Sequence, residues 1–217
     1  DGDEFEYTGQ MTLNKVNVTI KNVNFVKGNV SKAKSTTGGN YTIQNCTFDG
    51  QGLNRYAVEL RNTNNIVIEN VTAKDYGYGF LQIPSANVSL SIKNVEISDV
   101  NYGLKIDYSN GVTLENVVIT DAREFGMWVS NYSSRTYNIK NCEINSIEIH
   151  ERYYDEAETN PYTNNITFKF TCANHVGALL AKRWLFRTTF DVYQCTAVFY
   201  EILAYTTACD KTIYLGR

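Results

Sequence analysis

Ile68-Glu69-Asn70-Val71-Thr72-Ala73 stands between two near copies of itself, Ile43-Gln44-Asn45-Cys46-Thr47-Phe48 before it and Ile92-Lys93-Asn94-Val95-Glu96-Ile97 after it. Further out the pattern returns as Ile20-Lys21-Asn22-Val23-Asn24-Phe25, Leu114-Glu115-Asn116-Val117-Val118-Ile119 and Ile139-Lys140-Asn141-Cys142-Glu143-Ile144. The steps between the asparagines are 23, 25, 24, 22 and 25 residues. Apolar residues alternate on both sides of each Asn, the pattern of two short strands meeting at a bend. Asparagine tolerates left-handed backbone and its amide both donates and accepts, so stacked copies can form a hydrogen-bonded ladder inside the turn. Such partners are needed there, because burying an unpaired amide costs about 1–3 kcal/mol.

A third short strand follows at 57–61, 81–84, 104–107, 127–130 and 147–150. Three strands and three corners close one coil. An antiparallel sandwich would require hairpin turns and uneven spacing, whereas a near-constant period with one recurring polar corner describes a solenoid. The expected fold is all-β, a right-handed single-stranded parallel β-helix of about eight coils with an internal Asn ladder. Residues 1–217 read as a single domain. The acidic start, Asp1 to Glu6, suits an N-terminal cap over residues 1–12, since solenoid ends expose strand edges. Polar 151–164 reads as a loop leaving one coil, and 165–217 as irregular last coils. There Val192-Tyr193-Gln194-Cys195 repeats the pattern with Gln194 in the ladder position, and Phe168 precedes Val192 by 24 residues. A capping helix over 176–186 is the alternative. No comparable cap is visible after Leu215, so the natural chain is expected to continue as part of a longer surface protein.

Composition narrows the function. The formal charge is −3 at pH 7, with both signs spread along the chain, so no basic face is expected to hold a nucleic-acid backbone. No apolar run approaches the ~20 residues of a membrane span, and the start lacks a signal-peptide pattern, so membrane insertion is not expected and any export signal has been removed. Sixteen tyrosines against two prolines, with many Asn, Thr and Ser, suggest an exported or cell-surface protein. Cys46 and Cys142 occupy a core column that elsewhere holds Val, too far apart for a disulfide. Cys172, Cys195 and Cys209 lack metal-ligand spacing.

The file of Asn22, Asn45, Asn70, Asn94, Asn116 and Asn141 resembles that of the pectate-lyase-like superfamily of right-handed parallel β-helices. That architecture is shared by lyases, hydrolases, esterases, tailspikes and adhesins, so it implies a fold and a groove rather than one reaction. The Asn-Thr-Asp, Gly-His-Gly and Arg-Ile-Lys motifs of polygalacturonases do not occur. Tyr193-Gln194-Cys195-Thr196 places Cys195 where pectin methylesterases carry an acid, which removes their chemistry.

The resemblance implies a substrate groove along the third-strand sheet. Alternation turns Val58, Leu60, Leu81, Ile83, Leu104, Ile106, Met127, Val129, Ile147 and Ile149 inward. One outward row is then Glu59, Gln82, Lys105, Trp128 and Glu148, and a second is Arg61, Pro84, Asp107, Ser130 and His150. An outward Trp beside charges suits a glycan: the indole stacks on sugar C–H groups while charges hold hydroxyls or carboxylates. Trp128, Gln82, His150, Tyr76, Tyr78 and Tyr102 are the expected contacts. Were the domain a uronate lyase, Lys105 or Arg61 would be the base, with Glu59, Asp107 and Glu148 as neutralising or acid groups. A hydrolase would use two carboxylates about 5–9 Å apart, for which Asp107 and Glu148 are candidates.

Asp75, Asp99 and Asp121 each follow a ladder Asn by five residues and should stack. They either open turns by accepting backbone N–H bonds or hold Ca²⁺; no cofactor is otherwise required. The leading expectation is an exported or surface β-helix domain that binds polysaccharide, including acidic glycans. A lyase or hydrolase of uronate polymers and a non-catalytic adhesin module are the alternatives.

Overall fold

The computed structural model describes residues 5–130 and 135–150, apart from side chains at 85–87, 108, 110, 135, 149 and 150, together with the backbone of six strands between 165 and 215. Its elements are β1 (Phe5–Leu13), β2 (Val18–Lys21), β3 (Val23–Lys32), β4 (Asn40–Leu53), β5 (Tyr56–Glu59), β6 (Asn65–Ile119), β7 (Ala122–Ser130), β8 (Arg135–Lys140) and β9 (Glu143–His150). Beyond them lie β10 (Asn165–Thr171), β11 (Asn174–Lys182), β12 (Arg187–Tyr193), β13 (Ala197–Phe199), β14 (Ile202–Ala204) and β15 (Lys211–Leu215). Every pairing is parallel and joins one coil to the next. On the first sheet Ile20 pairs with Ile43, Ile43 with Ile68 and Leu114 with Ile139. The second sheet pairs Phe25 with Phe48 and Ile119 with Ile144, and the third pairs Val58 with Leu81 and Met127 with Ile147. The fold is thus a parallel β-solenoid, with about six turns among the described residues where about eight were expected over the whole chain.

Alternation buries one file per sheet. Ile43, Ile68, Ile92 and Leu114 fill the first, and Phe25 stacks on Phe48 with centroids 4.5 Å apart in the second. All the inward third-sheet residues from Val58 to Ile147 are fully buried. Cys46 and Cys142 are buried free thiols, and burial pushes both above the usual thiol range.

The corners carry the left-handed residues. All six ladder asparagines have φ between 51° and 56°. Each amide after Asn22 donates to the one in the preceding coil: Asn45 to Asn22 at 3.2 Å, Asn70 to Asn45 at 3.0 Å, Asn94 to Asn70 at 2.9 Å, Asn116 to Asn94 at 2.9 Å and Asn141 to Asn116 at 3.3 Å. From Asn45 onward the file is exposed on the outer rim of the corner, not enclosed within the turn. Water can therefore replace a lost partner, and each bond is worth the modest ~0.5–1.5 kcal/mol of an exchanged hydrogen bond. A second, shorter ladder lies five residues earlier: Asn40 donates to Asn17 at 3.1 Å and Asn65 to Asn40 at 2.6 Å. The two ladders bracket the first sheet over three coils. The second was missed because the column continues as Ser89 and Gly111, which breaks the repeat.

Three expectations change. Phe5–Leu13, placed within a cap, pairs in parallel with β3 from Phe5–Val23 to Leu13–Lys32 and is the first rung. The 176–186 segment is no helix up to Lys182, since β11 pairs with β9 from His175–Glu143 to Lys182–His150. Phe170, not Phe168, pairs with Val192, two residues off the phase read from the sequence. The 151–164 excursion lies outside the described residues, but Ile139 pairs with Phe170, so that coil takes 31 residues.

In urea unfolding, Asn94→Ala is expected to destabilise by about 2–4 kcal/mol, from two lost ladder bonds and a left-handed alanine. Asn94→Gly should recover at least half of that by relieving the backbone alone, and Asn22→Ala should cost less than Asn94→Ala because it breaks one bond.

Candidate functional site

The outward face of the third sheet carries the site. Register aligns Thr12, Ser31, Glu59 and Gln82 across the early coils, and Lys105, Trp128 and Glu148 across the later ones. A groove of about 700 Å³ runs over the early part and ends at Lys105. Five cations line it, Lys32, Lys34, Arg55, Arg61 and Lys105, and among the described residues Glu59 is the one carboxylate. Arg61 donates to Glu59 through both Nε and a terminal nitrogen, and Arg55 reaches Gln10 Oε1 at 3.3 Å. The charges of mixed sign along the chain thus hide a local cationic surface that neither composition nor linear order reveals.

Tyr56 and Tyr78 form one wall of the groove, and the Tyr102 and Phe125 rings lie outside its lining. Tyr56 and Tyr78 lie 5.9 Å apart, and Tyr102 and Phe125 6.2 Å apart. Tyr78 is 48% exposed. Burial, then the charges of Glu124 and Glu148, raises Tyr102 above the usual phenol range; burial likewise raises Tyr56, so both rings are neutral at pH 7. Gly79 makes room for this wall, since a Cβ there would lie 2.2 Å from the Tyr102 carbonyl oxygen and 2.9 Å from the Tyr56 ring. Lys105 Nζ lies 4.8 Å from the Tyr102 ring centroid and 5.1 Å from that of Trp128, a double cation–π contact.

Of the residues proposed from sequence, Glu59, Arg61, Gln82, Tyr78 and Lys105 line the groove, and Tyr102 and Trp128 join through Lys105. Tyr76 does not: it is fully buried and its hydroxyl donates to the Gly28 carbonyl, so it is a core residue. Asp107 at 4% and Glu148 at 2% exposure are buried, not displayed, as is Ser130. Alternation fixes the side of a sheet that a residue faces and leaves open what lies above it; Glu148 sits in register between Trp128 and position 180. Asp107, Ser109, Ser130 and Glu148 are instead buried polar residues outside the groove lining, Asp107 and Ser130 as rung neighbours, and among the described residues the Ser109 and Ser130 hydroxyls have no hydrogen-bond partner. The His150 side chain lies outside the described residues, while its backbone pairs with Ser130 and Lys182.

Asp75, Asp99 and Asp121 have φ of 57°, 51° and 51°, and Lys27 and Gln51 are left-handed at the corresponding corners of earlier coils. They are turn residues at left-handed positions. Among the described residues no three His, Cys, Asp or Glu side chains converge on a point that could hold a metal, the three aspartates included.

Family comparison agrees with the coil pairing. A model described as a right handed beta helix region matches residues 34–177. The chain belongs to the right-handed β-helix family. No curated protein and no solved structure matches it. The matched span carries the groove from Lys34 to Lys105 and the aromatic wall, while Gln10, Thr12 and Lys32 at the early end precede it.

Lys32 was not singled out from the sequence and has an unusual place. It pairs with Leu13 in an inward column of the third sheet and is 5% exposed. Its ammonium donates to the Thr36 and Asn62 carbonyls and lies 5.9 Å from the Tyr41 ring, tying two adjacent corners together. The signal was a Lys where later coils carry Leu60, Ile83 and Ile106. Burial pushes Lys32 below the usual lysine range, so the folded chain holds this proton less tightly than the unfolded one. Lys32→Met should lose about 1–3 kcal/mol at pH 7, chiefly through the orphaned Thr36 carbonyl, since the Asn62 carbonyl still accepts from the Gly38 N–H at 2.7 Å. Denaturation across pH should show wild type gaining on the variant as pH rises from the lowered value to the ordinary 10.5, with a constant difference below that window.

Proposed function

We propose that this domain binds polysaccharide in the third-sheet groove and prefers chains that bear anionic groups. The observation that carries the reading is the lining itself, in which four cations open to a ligand, Lys34, Arg55, Arg61 and Lys105, stand against one carboxylate beside the Tyr56 and Tyr78 rings, in a chain of net charge −3. Rings offer flat apolar faces to sugar C–H groups, and ammonium and guanidinium groups take carboxylates or sulfates. The groove follows the coil axis, so its rungs repeat every ~4.8 Å, a spacing suited to a linear polymer laid along it. An exported or cell-surface setting is the corresponding place for such a domain.

Binding is favoured over hydrolysis because a glycosidase needs two carboxylates facing the sugar. In the groove Glu59 is engaged by Arg61, and Asp107 and Glu148 are withdrawn from solvent. A structural or adhesin module without glycan affinity is the outcome that would replace this reading.

Isothermal titration with polygalacturonate oligomers, dextran sulfate and dextran tests it. Binding of the two anionic chains, weakened by salt and by about tenfold or more in Arg55→Ala/Arg61→Ala, is expected. Equal affinity for dextran, or no binding of any chain, would overturn it.

A further inference from the structure

We infer that Lys105 is the residue by which the groove distinguishes anionic from neutral sugars, an assignment that rests on the glycan-binding reading above. Among the cations of the groove, Lys105 is held differently. The Arg61 guanidinium is engaged by the Glu59 carboxylate, Arg55 is tethered to Gln10, Lys32 is spent on two backbone carbonyls, and Lys34 is exposed with no aromatic ring holding its ammonium among the described residues. The Lys105 ammonium has no carboxylate within ion-pair distance among the described residues, and its contacts are the faces of Tyr102 and Trp128.

Ring faces attract a cation through their quadrupole but do not neutralise its charge or use up its three N–H donors. The cage therefore fixes the ammonium in position while leaving it able to take an anionic oxygen. The tertiary structure builds the cage from two coils. Trp128 pairs with Lys105 directly across the rung, and Tyr102 stands three residues earlier at the corner entering the strand. Tyr102 is itself held by its contact with Phe125, the next aromatic in its column. Lys105 also marks the end of the groove, where a chain lying along the axis meets Trp128. One sugar stacked on that indole would bring its acidic substituent to the ammonium, so charge and ring are read together. Both carboxylate and sulfate satisfy an ammonium, and the groove is assigned to the shared chemistry, a singly charged oxyanion on a sugar ring.

The test compares wild type with Lys105→Met, Lys105→Gln and Lys105→Arg, using polygalacturonate oligomers as the carboxylate probe, dextran sulfate as the sulfate probe and dextran as the neutral one. Lys105 is partly exposed, and two neutral variants guard against a folding defect in either, checked by the urea midpoint. Loss of about 10- to 100-fold in affinity for an anionic probe, with Lys105→Arg keeping most of it and dextran unchanged, is the expected result. A loss with polygalacturonate alone identifies carboxylate as the group read, and a loss with dextran sulfate alone identifies sulfate. Anionic chains should also perturb tryptophan emission in wild type, and that response should vanish in Trp128→Phe. If both neutral variants bind the anionic probes as wild type does while Arg55→Ala/Arg61→Ala fails, Lys105 is not the discriminating residue and the groove reading stands. If wild type binds no probe, the groove reading itself fails, and this assignment with it.

Discussion

A left-handed bend recurring once per coil is the constraint from which the rest of this structure follows. Six asparagines adopt it, and each of the five after Asn22 hands an amide N–H to the asparagine of the coil before. Because most of the file lies on the exposed rim, the ladder does not rescue buried amides; its contribution is to register. A strand slipped by one residue would turn every inward side chain outward, and it would also break the amide file. The short second ladder of Asn17, Asn40 and Asn65 fixes the other edge of the same sheet, so the first three coils are pinned at both ends.

Register then places chemistry on the third sheet. Lys105 meets Trp128 and Asp107 meets Ser130 because they are rung neighbours about 4.8 Å apart in coils separated by 23 residues. The same geometry separates two regions of one face. Toward the early coils the outward side chains line an open cationic groove, and toward the later ones Asp107, Ser130 and Glu148 are shut away from water. Those carboxylates were natural candidates for acid–base chemistry from their row positions. Their burial shifts the weight of the site to the cations and rings that a ligand can touch.

Lys32 illustrates how a solenoid tolerates an exception. A cation in an apolar file is costly unless its donors are met, and here two backbone carbonyls and a ring face meet them. Gly79 is the complementary case, an absent side chain that lets the Tyr56 ring and the Tyr102 backbone close over the same volume.

The sequence by itself determined the coil. Period, corner residue and alternation are local properties repeated many times, so the inward files from Val58 to Ile147, the asparagine ladder and the core role of Cys46 and Cys142 could all be read from it. Where the repeat was interrupted, by Ser89 and Gly111 in the second ladder or by the 31-residue coil before Phe170, the reading lost a column or slipped in phase. Only the tertiary structure decided accessibility and charge placement. Tyr76 proved to be core, Glu148 and Asp107 proved to be covered, and four outward cations with Lys32 gathered around one groove. The physical reason is that alternation sets a direction, a property of one strand, whereas exposure and electrostatic environment are sums over neighbours from other coils.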